Sequence, residues 1–545
     1  MRTLQSPIII TQPLAMLTMI STLVICLPLI VIVSTLFIGS FDVWKHLYNT
    51  VLSDYIVNSF WLSLGVGIGV FIMGVPAAWI TSSYHFPGKR FFTWAMLLPL
   101  AIPAYIIAYT YTGLLDFAGP VQTLLRSWFG NDISNLWIFN IRSLGGAILM
   151  LSLVLYPYVY LLARSAFLDQ SASLVEAGRS LGYSYRQTIF KLVIPLARPA
   201  IIAGITLALM ETLADFGTVE FFGVDTFTTG IFRTFYGFGD TAGAIQLAAA
   251  LLCFVVLLIF LERYSRKKTQ YYSAKGRIVQ PIKLSGVKAW LATTACFLPF
   301  CFGFLIPALQ LLYWSLFKAE HGHNFLELAW NSFSLAFMAA IIATILAIVL
   351  SYAKRLYAKN PVIHSSINIS SLGYAMPGTI IAIGIIVPFA WFDQQLINWA
   401  KSLFNIDIGL ILSGTLIALL FAYTVRFLAV AFGAVDSGLQ KIKPSLDDAA
   451  RSLGKTPQNV LKLVHLPLLY GPVLTAILIV FVDVLKELPA TLILRPFDFN
   501  TLSIRAYELA SDERLIDAAP ASLLIVLVGI IPVIILNKSI QKTSR

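Results

Sequence analysis

A chain of 545 residues would ordinarily fold as several soluble domains, but 58% hydrophobic and only 12% charged residues exclude that organisation. The net charge of +12 is gathered into short segments between long apolar stretches, which argues against a continuous nucleic-acid-binding surface. Crossing the roughly 30 Å hydrocarbon core takes about 20 apolar residues in a helix, and nothing in the chain alternates in the ten-residue segments of a membrane barrel. The fold class is therefore all-α, a polytopic membrane protein with about 12 transmembrane helices.

In chain order, the predicted spans of the first half are 14–37, 58–80, 92–114, 144–162, 199–222 and 242–261. The first run is too long for a cleaved leader and no small-residue cleavage pattern follows it, so it reads as a retained helix. The second half repeats the pattern at 290–313, 331–352, 369–391, 410–432, 470–494 and 519–536. Lys89 and Arg90 follow the second span, Lys354, Arg355 and Lys359 follow the eighth, and the segment from Arg263 to Lys288 between the sixth and seventh is strongly basic. By the positive-inside rule these segments face the cytoplasm, and an even number of helices brings both termini to that side. Cys26, Cys253, Cys296 and Cys301 all fall within predicted spans and read as small core hydrophobes. The chain divides into a first helix with an outer loop (1–57), a first repeat (58–262), a basic linker (263–288), a seventh helix with an outer loop (289–330), a second repeat (331–537) and a tail (538–545).

The halves are parallel repeats. Glu176-Ala-Gly-Arg-Ser-Leu-Gly182 is echoed by Asp448-Ala-Ala-Arg-Ser-Leu-Gly454, and a proline follows thirteen residues beyond each closing glycine, at Pro195 and Pro467. The same offset pairs Glu211 with Asp483, Asp215 with Glu487, Thr229 with Thr501, Arg233 with Arg505 and Asp240 with Asp512. Slightly longer offsets pair Asn58-Ser-Phe60 with Asn331-Ser-Phe333, and Ala101-Ile-Pro103 with Ala375-Met-Pro377. Each closing glycine predicts a short surface helix that stops before the chain re-enters the bilayer near a proline.

These doubled segments resemble the EAA loop of type I ABC importer permeases, and the resemblance covers nearly the whole chain as two tandem six-helix repeats. It implies that Glu176, Ala177, Gly178 and Gly182 in the first half, and Asp448, Ala449, Ala450 and Gly454 in the second, form coupling helices that dock into ATPase subunits, one per loop. Asp448 departs from the usual glutamate, so the two docking sites need not be equivalent. The resemblance also implies a bacterial inner-membrane location, a periplasmic binding protein as partner, no cofactor, and ATP hydrolysis in a separate subunit rather than in this chain. Residues 449–456, AARSLGKT, imitate a relaxed phosphate loop, but no strand, glycine-rich cradle or α/β domain accompanies them, and the first half has no lysine matching Lys455.

Acidic residues within spans are costly and read as functional by default. Glu211 with Asp215, and Asp483 with Glu487, are spaced to put two carboxylates on one helical face in each half, and Lys486 stands three residues after Asp483 to neutralise it. These four, with Glu220 toward the outer mouth, are the candidates for a translocation pathway or gate. The stretch from Leu213 to Arg233 is similar to the corresponding segment of fused ferric iron permeases, and hard oxygen ligands suit such a cation. Fused relatives for thiamine or organophosphonates give the alternative cargo. An ion-gradient-driven secondary transporter is the alternative class, and the doubled docking motif argues against it. His321-Gly-His323 beside Glu320 and Glu327 reads as a solvated turn, because two histidines at that spacing do not define a metal site.

Overall fold

A helix pairs its backbone N–H and C=O groups within one segment, which is what a chain needs in order to cross hydrocarbon that offers no hydrogen bonds. The computed structural model describes residues 13–38, 41–129, 140–169, 180, 182–266, 282–319 and 324–543. In chain order the principal elements are α1 (Pro13–Ile25), α2 (Leu27–Ile38), α3 (Leu52–Ser83), β1 (Tyr84–His85), α4 (Lys89–Ala95), α5 (Ala104–Leu115), α6 (Leu144–Asp169), α7 (Ile194–Ala214), α8 (Gly217–Phe221), α9 (Phe227–Phe232) and α10 (Thr241–Arg266). There follow β2 (Ile282–Lys283), α11 (Gly286–Phe300), α12 (Ile306–Phe317), α13 (Phe325–Leu356), α14 (Pro361–Ser370), α15 (Gly378–Phe404), α16 (Leu416–Gln440), α17 (Pro444–Ser452), α18 (Tyr470–Leu485), α19 (Pro489–Leu494), α20 (Leu502–Ser511) and α21 (Ala519–Thr543).

Among the described residues, 8 helices are long and apolar enough to cross a membrane unaided. Three bent pairs are long and apolar enough when each is taken together as a broken span or a re-entrant loop, Pro13–Ile25 with Leu27–Ser34, Lys89–Ala101 with Ala104–Phe129, and Pro457–Leu468 with Tyr470–Leu485. The shorter apolar helix Ala519–Ile535 completes the twelve segments expected from hydropathy.

The chain forms two compact units. One comprises Met1–Val43, Thr234–Ala249 and His323–Ile504, and the other Trp44–Arg233, Ala250–Gly322 and Arg505–Arg545. In the first, α13, α16 and α18 pack together, with α1 on α14 and α2 on α15. In the second, α3, α6 and α7 form the matching trio, and α12 lies against α5 and α21. Each unit is thus assembled from both halves of the sequence.

Helix α3 shows how its residues choose between neighbours. Ser59, Leu62, Val66, Val70 and Gly74 form its buried stripe, while Phe60, Trp61, Leu64, Ile68, Phe71 and Ile72 are exposed. Acyl chains are as apolar as leucine, so bulky side chains gain nothing by facing inward, and small residues instead let helices approach. A Cβ on Gly204 would stand 2.7 Å from the Val159 Cα, and one on Gly74 would stand 2.8 Å from the Val159 Cβ, so α3 and α7 both lie directly on α6.

Several predicted spans end or break differently from their hydropathy. The run 92–114 is split, with the two parts bent by 92°. A 3₁₀ turn at Leu98–Ala101 precedes an extended Ile102 (φ −99, ψ 118) and Pro103, and the second half repeats this with Ser371–Ala375, an extended Met376 (φ −90, ψ 131) and Pro377. Proline lacks the N–H and disfavours helix at the residue before it, so the repeated Ala-Ile-Pro and Ala-Met-Pro motifs are paired helix breaks. The spans placed at 199–222 and 470–494 stop earlier, where α7 closes at Ala214 and α18 at Leu485. Of the cysteines only Cys296 is buried, and Cys253 is exposed, so the expectation of core packing holds for one of the four. A short parallel pairing of β1 with β2, unanticipated from sequence, ties the end of the basic segment to the chain beyond α3.

Candidate docking loop and intramembrane carboxylates

Helix α17 carries the second copy of the repeated motif. Pro444 opens it at a position where no N–H is needed, and Gly454, at φ +74, ends it. Gly454 N donates to Arg451 O at 2.9 Å and Lys455 N to Ala450 O at 3.1 Å, a Schellman turn that satisfies the last carbonyls and needs a left-handed residue. Ala450 is buried, whereas Asp448, Ala449, Arg451 and Leu453 face outward. Gly182 has the same left-handed backbone, φ +76, as the first half predicts. Glu176, Ala177 and Gly178 lie outside the described residues. Lys455 follows a helix and a turn, so the resemblance to a phosphate loop is one of letters only.

The exposed helix is pinned from its inner side. Asp447 Oδ2 accepts from Arg355 Nε at 2.8 Å, and Asp447 Oδ1 lies 2.7 Å from His465 Nε2. Arg355 Nη1 also donates to Leu439 O at 2.7 Å, and the adjacent Lys354 Nζ reaches Asp436 Oδ2 at 2.7 Å. Burial alone would raise the Asp447 carboxyl, but the hydrogen bonds from Arg355 and His465 outweigh it and hold the group below the usual carboxylate range. Sequence reasoning treated Lys354 and Arg355 as topology markers only and passed over Asp447 and His465. The signal available was a histidine inside an otherwise apolar stretch.

The carboxylates do not share a helical face as their spacing suggests. Helix α7 ends at Ala214, leaving Asp215 extended (φ −67, ψ 134), where it accepts from Thr218 N at 3.0 Å, Val219 N at 3.1 Å and Thr218 Oγ1 at 2.9 Å. Glu487 likewise follows the end of α18 and accepts from Ala490 N at 3.0 Å, Thr491 N at 3.1 Å and Thr491 Oγ1 at 2.8 Å. The N–H groups that open α8 and α19 have no intrahelical acceptor, and the second acid of each pair supplies one.

The two halves differ in how these charges are balanced. Glu487 pairs with Arg426 of α16 at 3.0 Å, with side chains only 1% and 10% exposed. A Cβ on Gly378 would meet both Arg426 Nη1 and Glu487 Oε1, so a larger residue at the start of α15 would have to displace this pair. Lys486 pairs with Asp483 at 2.8 Å, as its spacing predicts. In the first half Val154 and Ala104 stand at the positions matching Arg426 and Gly378. Among the described residues, neither Glu211 nor Asp215 has an ion-pair partner. Glu220 lies 4.0 Å and Asp225 2.9 Å from the half-exposed Arg233. Sequence reasoning missed Arg426, although an arginine inside a predicted span is itself a signal.

Hydrogen bonds also correct the repeat register beyond the helix breaks. Thr228 Oγ1 donates to Asp215 O at 2.7 Å, and Ser503 Oγ donates to Glu487 O at 3.0 Å. Ser59 Oγ accepts from Phe227 N at 3.4 Å, and Ser332 Oγ accepts from Leu502 N at 2.7 Å. Thr226 therefore corresponds to Thr501, and the second half has three more residues between acid and threonine than the first. The expected pairings of Thr229 with Thr501, Arg233 with Arg505 and Asp240 with Asp512 do not hold.

Among the described residues no three His, Cys, Asp or Glu side chains converge as metal ligands. Glu320, His321 and His323 lie outside the described residues.

Residues 71–271 and 343–543 each match the family described as "Binding-protein-dependent transport system inner membrane component". Over its whole length the chain is similar to the Fe(3+)-transport system permease protein FbpB 2 of Haemophilus influenzae, at 29% identity covering 96% of this chain and 98% of that protein. The putative ferric transport system permease protein FbpB 1 of the same organism is 24% identical over 91% of this chain and 79% of its own length. The molybdenum transport system permease protein ModB of H. influenzae is 27% identical over 40% of this chain and 96% of its own length, the extent of a single repeat.

Proposed function

The chain belongs to the family of inner membrane components of binding-protein-dependent transport systems, and from that premise we propose that it is the multi-pass permease of an ATP-driven importer that carries ferric iron received from a periplasmic binding protein. The observation that carries the cargo assignment is similarity to a Fe(3+)-transport permease along essentially the full length of both proteins. ATP hydrolysis belongs to separate cytoplasmic subunits, two copies of which dock on the paired loops, at Glu176, Ala177, Gly178 and Gly182 and at Asp448, Ala449, Ala450 and Gly454. The outward face of α17, with Asp448 and Ala449 exposed and the helix end closed by Gly454, supports that role. Both termini are cytoplasmic, in keeping with Lys538, Lys542 and Arg545 and the basic segment after α10.

Within the membrane, Glu211 is the pathway carboxylate best supported by its surroundings, since it has no ion-pair partner among the described residues and is not engaged as a helix cap. Asp215 and Glu220 stay pathway candidates in the first half. Asp483 and Glu487 are neutralised by Lys486 and Arg426 and fit a structural role better.

The test is uptake into proteoliposomes holding this chain, its ATPase and its binding protein. ATP-dependent accumulation of labelled ferric ion, uncompeted by thiamine, organophosphonate or molybdate, is expected. Uptake by the chain alone under a proton or sodium gradient would overturn the mechanism, and ATP-dependent uptake of another solute would overturn the cargo.

A further inference from the structure

We propose that Asp447 is the positioning residue that locks the second docking loop to the membrane helices, so that α17 transmits motion as a rigid piece. The inference rests on the reading of α17 as an ATPase-docking helix. Two elements other than its own meet at this carboxylate, and a third is joined to it through Arg355. Arg355 comes from the last turn of α13, and His465 comes from the π turn Leu461–His465 leading toward α18. Through Arg355 the contact extends to the Leu439 carbonyl at the end of α16. Lys354, next to Arg355, adds the bond to Asp436 of α16, so α13 grips both neighbours at one level.

The chain beyond the docking helix is held by the same group of residues. Tyr352 Oη of α13 donates to Pro457 O at 2.6 Å, and the Tyr352 ring stands edge-on to the His465 ring, with centroids 5.6 Å apart. His465 is 0% exposed, and its Nδ1 has no partner among the described residues. Asp447 is thus the group that satisfies the buried imidazole, and removing it leaves both ring nitrogens unpaired. The docking helix is tied at its first turn and again just past its closing glycine.

The matching positions of the first half do not carry these groups. The π turn Ile189–Val193 matches Leu461–His465 residue for residue and places Val193 where His465 stands. Helices α3 and α13, both 32 residues long, place Ser82 opposite Arg355 and Trp79 opposite Tyr352. The residue before Glu176 is Val175, where the second half has Asp447. Uncharged side chains at these positions cannot reproduce the ion pairs, so the mechanical difference between the two loops lies behind the docking motif rather than in the Glu176 to Asp448 change.

The experiment uses the complete transporter, this chain with its ATPase and binding protein, in lipid nanodiscs and liposomes. For Asp447→Asn, transport per ATP hydrolysed should fall roughly tenfold. Amide exchange across 444–453 should quicken, while ATPase co-purification persists, because the exposed Asp448 face is untouched. Asp447→Glu should restore most of the ratio. Arg355→Gln, which leaves the His465 contact, should give the same uncoupling in milder form and serves if Asp447→Asn does not accumulate. Wild-type transport per ATP and wild-type exchange in both variants would overturn the proposal. Failure of the unmodified chain to bind the ATPase would instead overturn the docking assignment, while the exchange comparison would still decide whether Asp447 holds α17.

Discussion

A guanidinium and a carboxylate taken out of water together, as Arg426 and Glu487 are, contribute little net stability but make each other indispensable. Arg426→Ala should therefore cost about 3–5 kcal/mol, read as a lower thermal midpoint in detergent. The double change Arg426→Ala with Glu487→Gln should recover part of that loss, since no uncompensated charge remains. Asp447 belongs to the side proposed as cytoplasmic. Its folded pKa lies below its unfolded value, so its stabilisation is complete above the unfolded value of about 3.9 and is lost as the pH falls through the folded value. Thermal midpoints followed from roughly pH 7 down to 3 should fall more steeply for the wild-type chain than for Asp447→Asn, whose midpoint is lower at neutral pH and flatter. That the spans hold acidic residues was plain from sequence. That Glu487 is already neutralised was not, because Arg426 and Glu487 are 61 positions apart and meet only when α16 and α18 pack.

Among the elements, breaks matter as much as helices. Helix α17 ends where Gly454 adopts φ +74, and a Cβ there would have nothing within 4 Å, so substitution strains the backbone without a clash. Gly454→Val should cost roughly 1–2 kcal/mol at that turn and weaken ATPase co-purification, while Gly454→Asn, which tolerates the left-handed region, should largely preserve it. The same exchange at Gly182 with Gly454 together should uncouple the ATPase while leaving membrane insertion intact. Both glycines were recognisable from the repeat itself. The breaks after Ala214 and Leu485 were not, because hydropathy runs straight through them and the capping roles of Asp215 and Glu487 depend on N–H groups that exist only once the helix has stopped.

For the whole molecule, each compact unit draws on both halves of the chain, with 1–43 joining 323–504 in one and 505–545 joining 44–233 in the other. Two co-expressed fragments divided within the basic linker at Ala274 should therefore co-purify and restore uptake, whereas either fragment alone should be degraded. Recovery of a stable, monodisperse single fragment would contradict this arrangement.

Composition and repetition by themselves determined that this protein spans a membrane with about twelve helices in two tandem sets, because hydrocarbon imposes length and apolarity on each segment separately and a duplicated motif is visible residue by residue. Tertiary structure alone decided that the later segments of the repeats are offset by three residues, that Arg426 neutralises Glu487, and that Asp447 ties α17 to α13. Those outcomes depend on which side chains distant in sequence come within about 3 Å of one another, and on backbone groups freed where helices end. No periodicity along a single segment carries that information.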